Sequence, residues 1–166
     1  MSGHIIRKAT AYDKGALRGA VTELHEYELS STRLPGEATA DAYLVWMLAT
    51  AAEQRGTVLV AEHDGAFAGV AAGWIAEENN IEETPDSNRF GLISDICVLP
   101  PFRDRRIASR LLDALTEHLA AAGVSRIRLS VLAENAAART AYERSGFAPH
   151  EIVYEKVVGA RDEPSE

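Results

Sequence analysis

The chain has 166 residues, and 17 Lys and Arg stand against 25 Asp and Glu, for a net charge of −8. That length suits one domain with a self-sufficient core, and the acidic balance argues against general binding to nucleic acid or to anionic membranes. The lone cysteine, Cys97, excludes an internal disulfide and a cysteine-based zinc site.

A single cysteine also fits a reducing compartment, so a cytoplasmic location is expected. No apolar run reaches the roughly 18–20 residues of a membrane span, and residues 1–8 lack the apolar stretch of a signal peptide. Residues 1–166 are expected to form one domain, with residues 159–166 as a frayed polar tail.

Residues 5–10 read as a short strand running into a helix start, where Thr10 or Asp13 offers a capping oxygen. Leu17, Val21, Leu24 and Leu29 recur at helical spacing across residues 14–29. Pro35-Gly36 breaks the pattern, and a second helix is expected over residues 39–55, stopped at Gly56. Residues 57–62 are β-branched and apolar, hence a buried strand. Asp64-Gly65 predicts a tight hairpin into a return strand over residues 67–75. An acidic polar loop is expected over 77–89, then a strand over 90–99 ending at Pro100-Pro101.

Helical spacing returns over residues 104–122, where Ile107, Ala108, Leu111, Leu112, Leu115 and Leu119 make one apolar face. Gly123 stands where a left-handed C-terminal cap belongs. A strand over 124–132, a short helix over 135–145 and a last strand over 147–158 complete the pattern. This order calls for one mixed α/β sheet with helices packed on its faces.

The stretch from Asp95 to Ala108 carries the chemistry. A strand feeds a loop that opens an amphipathic helix, and a helix N-terminus presents unpaired N–H groups and a dipole that favour an anion. Arg103, Arg105, Arg106 and Arg110 cluster there, although cations oppose the dipole at that end. Either a bound anion compensates, or the arginines form a solvated face paired with Asp104 and Asp113. No metal-ligand spacing appears, so no metal is expected.

Val98-Leu99-Pro100-Pro101-Phe102-Arg103-Asp104-Arg105-Arg106-Ile107-Ala108 resembles the acyl-CoA-binding motif of the GNAT superfamily of N-acyltransferases, V-x-P-x-x-[RQ]-x-x-G-x-[GA]. Asn135-Ala136-Ala137-Ala138-Arg139-Thr140-Ala141-Tyr142-Glu143-Arg144-Ser145-Gly146-Phe147 resembles the family's second motif, N-x-x-A-x-x-x-Y-x-x-x-G-F. The two stand in the family's order, and with the first strand the resemblance spans about residues 4–158. Arg106 departs from the pattern, since it occupies the first glycine position of the phosphate loop. A negative φ there, as at a helix start, would leave its N–H free to donate.

The resemblance implies a GNAT-like α/β (α+β) fold: a mixed, mostly antiparallel sheet with helices on both faces, splayed between its fourth and fifth strands. It implies acetyl-CoA as co-substrate, with the backbone of Ile96, Cys97 and Val98 pairing with the pantetheine arm. Arg103, Arg105, Arg106, Ile107, Ala108 and Ser109 would line the pyrophosphate loop, and Asn135 would bond the cofactor arm. Tyr142 would serve as general acid toward the departing thiolate. Asp95, an acid in an apolar strand, is the candidate base, with Glu62 and Glu78 as rivals and His25 a remoter one. Cys97 reads as a buried strand cysteine rather than a nucleophile.

The acceptor is expected to be a primary amine of a small molecule or a peptide. The acids Glu23, Glu26, Glu28, Glu77, Glu78, Glu82, Glu83 and Asp86 suit such a cation, though a solvated acidic loop explains them as well. A non-catalytic acyl-CoA-sensing or protein-interaction module on the same fold is the alternative, favoured by Arg106. A homodimer through the last strand, as an exposed sheet edge, is within the family's range.

Overall fold

In the computed structural model, residues 3–28, 36–156 and 158 are described. Among them lies a five-stranded sheet in the order β1 (His4–Lys8), β2 (Thr57–His63), β3 (Ala66–Glu77), β4 (Arg89–Val98) and β5 (Ile127–Leu129). The first four pair antiparallel in sequence, and β5 joins β4 in parallel. Helices α1 (Lys14–Tyr27) and α2 (Glu37–Glu53) cover one face, and α4 (Ile107–Ala121) covers the other. The short α3 (Pro85–Asn88) precedes β4, and α5 (Ala136–Arg144) follows β5.

Strand alternation builds both faces of the core. Val58 and Val60 on β2, with Val70, Ala72 and Trp74 on β3, pack under α1 and α2 beside Leu17, Leu44 and Met47. Their neighbours Leu59, Ala61, Ala71 and Ile75 point the other way, onto Leu111, Leu112, Leu115 and Leu119 of α4. The expected apolar face of α4 is therefore the buried one, although the helix begins at Ile107 rather than at residue 104. Gly123 takes φ 89°, the left-handed conformation expected of it. The β2–β3 turn holds Asp64 at φ 50° and Gly65 at φ 79°, as a two-residue hairpin requires.

Arg7 ties the start of the chain to the sheet. Its guanidinium donates to both carboxylate oxygens of Asp13 at 2.8 Å and to Glu62 on β2. Asp13 is buried and also accepts from the Thr10 backbone N–H. The Arg7 guanidinium holds the Asp13 carboxyl far below the usual carboxylate range. Its stabilisation is thus complete above the unfolded pKa near ~4 and is lost as pH falls through the lower folded value. Asp13→Ala should cost about 1–3 kcal/mol, because it leaves the half-exposed Arg7 guanidinium to Glu62 alone and removes the acceptor of the Thr10 N–H. The stability difference from the parent should shrink in acid. Equal melting curves for the two proteins at neutral pH would remove this role.

Two sequence expectations fail toward the C-terminus. The strand expected over 124–132 shrinks to Ile127–Leu129. The last strand expected over 147–158 is absent among its described residues, where Ile152, Val153 and Tyr154 are exposed and unpaired in the sheet. β-branched and aromatic residues make a strand only where a neighbour and a packed face receive them, and here β5 ends the sheet.

Candidate active site

The site begins where β4 and β5 part. Their ladder runs Gly91↔Ile127, Leu92↔Arg128 and Ile93↔Leu129, then stops, while β4 continues to Val98. On its other side β4 stays paired to β3 as far as Val98↔Gly69. The backbone groups of Ile96 and Val98 therefore face an open edge, whereas the register that sends the Leu99 N–H to the Ala68 carbonyl turns those of Cys97, expected to pair with the cofactor arm, toward β3. This is the splay expected between the fourth and fifth strands.

A β-bulge shapes that edge. Gly73 of β3 lies opposite Ile93 and Ala72 opposite Asp95, which leaves Ser94 as the extra residue. Ile93 and Ile96 consequently both face α4, while Asp95 turns toward α1 and α2. There the Tyr43 hydroxyl of α2 lies 2.9 Å from each Asp95 carboxylate oxygen and 3.3 Å from the Ser94 hydroxyl. A phenol donating to a buried carboxylate favours its charged form. Sequence periodicity gave no sign of Tyr43. It occupies one aromatic position on a helix apolar nearly all round, and its role depends on a strand 52 residues away.

A cleft of about 260 Å³ opens beside this pair. Leu24, His25 and Glu28 from the α1 side, Tyr43, β4 from Leu92 to Ile96, Leu129, Ser130 and Tyr142 line it. The candidate acid and the candidate base are thus brought to one cavity. Burial first, then the negative charge of Glu28, raises Tyr142 above the ordinary phenol range, so it is protonated at neutral pH. Its ring packs edge-on against Phe147. His25 also reaches the cleft, edge-on to Tyr43 at 4.9 Å between ring centres.

The rival bases lie elsewhere. Glu62 belongs to the Arg7 cluster, and Glu78 faces Arg128 at 3.7 Å beside Phe90. Of the eight acids expected around an acceptor, only Glu28 lines the cleft. Glu23 bonds Arg103, Glu77 faces Arg89, and Asp86 bonds Ser125 and Arg126. Residues 77–89 contribute nothing to its wall. Burial and the charge of Glu23 push the Cys97 thiol up to about 11, which leaves it a neutral, inert core group.

At the far end of the open edge, β4 runs through a turn at Pro100–Phe102 into the arginine loop. Asp104 and Arg106 both take left-handed backbone, at φ 61° and φ 60°. Arg106 therefore does not meet the condition of a negative φ: the arginine keeps the conformation for which its motif position favours glycine. The first hydrogen bond of α4 is from the Arg110 N–H to the Arg106 carbonyl. The N–H groups of Ile107, Ala108 and Ser109 precede it and have no partner within the helix. The side chain of Arg106, the N-cap residue, makes no capping hydrogen bond.

The arginines divide by partner. Arg103 turns to α1: its Nε donates to the Val98 carbonyl, and its guanidinium meets Glu23 and the face of Tyr27. Arg105 bonds His63 at 2.8 Å. Asn135 caps α5, its side-chain oxygen accepting from the Ala138 N–H at 3.1 Å, which leaves its amide N–H₂ as the group able to reach a ligand. Among the described residues, no three His, Cys, Asp or Glu side chains gather to hold a metal ion. No helix among them is long and apolar enough to cross a membrane.

Comparison with solved structures gives the same architecture. A mutant of the BH1408 protein from Bacillus halodurans superposes with a TM-score of 0.79 at 22% identity, covering 93% of this chain and 99% of that one. The aminoglycoside N-acetyltransferase AAC(6')-Iy in complex with CoA gives 0.75 at 20% identity, covering 96% and 97%. Glucosamine-6-phosphate N-acetyltransferase from Arabidopsis thaliana gives 0.65 at 18% identity, covering 95% and 99%. Comparison with curated protein sequences returns no match. The family model for the GNAT acetyltransferases matches residues 21–147, which include the open β4 edge, the arginine loop and Tyr142. With a sheet that parts between its fourth and fifth strands, this chain belongs to the GNAT family of acetyltransferases.

Proposed function

We propose that the protein transfers an acetyl group from acetyl-CoA to a primary amine of a small molecule or peptide by direct attack. The observation that carries this reading is the meeting of Asp95 and Tyr142 in one cleft beside the open edge of β4. A similar structure, that of AAC(6')-Iy, was solved with a bisubstrate analogue, CoA-S-monomethyl-acetylneamine, which favours a small amine as acceptor.

Each step falls to a named group. The backbone of Ile96 and Val98, on either side of Cys97, pairs with the pantetheine amides, as an added strand would. An N–H near Val98 polarises the thioester carbonyl. The N–H groups of Ile107, Ala108 and Ser109, with Arg105 and Arg106, receive the pyrophosphate at the positive end of α4. Asn135 bonds the cofactor arm through its amide N–H₂, and Arg103 braces the loop against α1.

The acceptor enters past Glu28, His25 and Tyr43, where Glu28 attracts the ammonium form. Asp95 takes the proton from the amine, directly or through water, and frees the lone pair for attack on the carbonyl carbon. As the C–S bond breaks, Tyr142 gives its proton to the sulfur. The second N–H proton, lost as the amide forms, returns to the tyrosinate through water, and Asp95 releases its own proton to solvent, so one proton leaves per turnover of an ammonium acceptor.

Calorimetric titration with acetyl-CoA, followed by thiol release with a panel of amines, tests this reading. Micromolar binding with amine-dependent release is the expected result. Arg106→Gly should gain about 1 kcal/mol in stability, because glycine holds φ 60° without strain, and should weaken acetyl-CoA binding through the lost guanidinium. Absent binding at millimolar acetyl-CoA would replace the enzyme by an interaction module.

A further inference from the structure

Beside the arginine loop, outside the cleft, three side chains from distant parts of the chain form a chain of contacts. Arg105 Nη1 lies 2.8 Å from His63 Nε2, and His63 Nδ1 lies 2.9 Å from His4 Nδ1. His63 ends β2 and is buried. His4 begins β1, and their rings are 4.6 Å apart. Phe102 closes edge-on over His63 from the turn that starts the loop. Asp64 stands 3.6 Å from the same Nε2, beyond hydrogen-bond length.

Guanidinium N–H groups can only donate, so His63 Nε2 accepts from Arg105. The imidazole is then neutral with its proton on Nδ1, from which it donates to His4. Arg105 is otherwise exposed at the surface of the loop. One of its five N–H donors is spent on the histidine, and the others remain for a ligand. A long flexible side chain normally loses rotamer entropy when it grips an anion, and an anchor formed beforehand removes part of that cost.

We propose that His63 is a positioning residue for acetyl-CoA. Held by β2 and backed by His4, it fixes the Arg105 guanidinium at the mouth of the phosphate loop, so that the remaining donors meet the pyrophosphate already oriented. His63 touches neither the reacting atoms nor the cofactor, and its influence passes through Arg105. This inference rests on the proposal that CoA binds at this loop.

The test is a double-mutant cycle read by calorimetry with CoA, with thermal melts as a check of folding. His63→Phe should weaken CoA by about tenfold, the worth of a charge-assisted hydrogen bond. His63→Gln, whose amide oxygen accepts from a guanidinium, should restore most of that loss. Arg105→Ala should weaken CoA at least as much, and adding His63→Phe to it should cost nothing further. Wild-type affinity in His63→Phe, or a full additional loss in the Arg105→Ala background, overturns the proposal while leaving CoA binding intact. A wild-type protein that does not bind CoA removes the functional reading and this inference with it. Nitrogen NMR of the unliganded protein reads the same contact without CoA. His63 should carry its proton on Nδ1 in the wild type and lose that fixed tautomer in Arg105→Ala. A wild-type proton on Nε2 overturns the proposal even if His63→Phe fails to fold.

Discussion

Replacing Tyr142 by phenylalanine is expected to lower kcat by about 100-fold or more, the usual range for a lost general acid. The dissociation constant for acetyl-CoA should change little, because the ring and its packing against Phe147 remain. Burial and the nearby Glu28 favour the protonated phenol. The acid therefore stays competent above the ~10 of a free tyrosine, and the alkaline limb of the kcat profile should fall later than that value. The sign follows from the direction of the shift, since a raised pKa keeps the donating form to higher pH. Single-turnover rates with a fixed amine acceptor, measured beside calorimetric binding, separate the two effects. Wild-type turnover in Tyr142→Phe would remove the acid role and leave Tyr142 as a packing residue.

Asp95→Asn carries the second large effect. The amide keeps a hydrogen-bond partner for the Tyr43 hydroxyl, so the fold should hold and the melting temperature should stay near that of the parent. The lost base should lower kcat by about 100-fold and flatten the rising limb of the pH–rate profile. Tyr43→Phe gives the complementary result. It removes a donor that favours the carboxylate, so the rising limb should move to higher pH while the enzyme stays active. Full activity and an unchanged limb in Asp95→Asn would transfer the base role to a water chain or to His25, which lines the same cleft. Glu62 and Glu78 are poorer substitutes, since the structure places them in arginine pairs away from the cleft.

Those two assignments differ in how they became visible. Tyr142 stands in a motif that can be read along thirteen residues, Asn135 to Phe147, in and around one helix. Asp95 drew notice because a charge inside an apolar strand needs a partner. Its partner, Tyr43, was not legible, because no local pattern links a residue of α2 to a strand that pairs with the far side of the sheet. The bulge at Ser94 was equally hidden. It depends on the register of β4 against β3, and one extra residue decides that Asp95 turns toward Tyr43 while Ile93 and Ile96 face α4. The acidic loop misled in the other direction. Its charges suggested an acceptor site, whereas arginines and Ser125 at the base of the sheet take up Glu77, Glu78 and Asp86.

What this sequence determined by itself is local. The 3.6-residue spacing of Ile107, Leu111, Leu115 and Leu119 sets the buried face of α4, and Asp64-Gly65 sets a hairpin because few residues accept two positive φ angles in succession. The two motifs and their order carried the family, since backbone donors, a capping asparagine and a helix tyrosine are each specified within a few residues. Tertiary structure alone decided the rest. It holds Arg106 at positive φ against its own preference, because β4 and α4 hold the loop at both ends. It joins Arg105 to His63 across 42 residues of chain. It leaves Ile152, Val153 and Tyr154 without a sheet neighbour despite their strand propensity. The physical reason is common to all three. Propensity, capping and turn chemistry act over a few bonds, whereas register, burial and side-chain pairing exist only once distant segments have met.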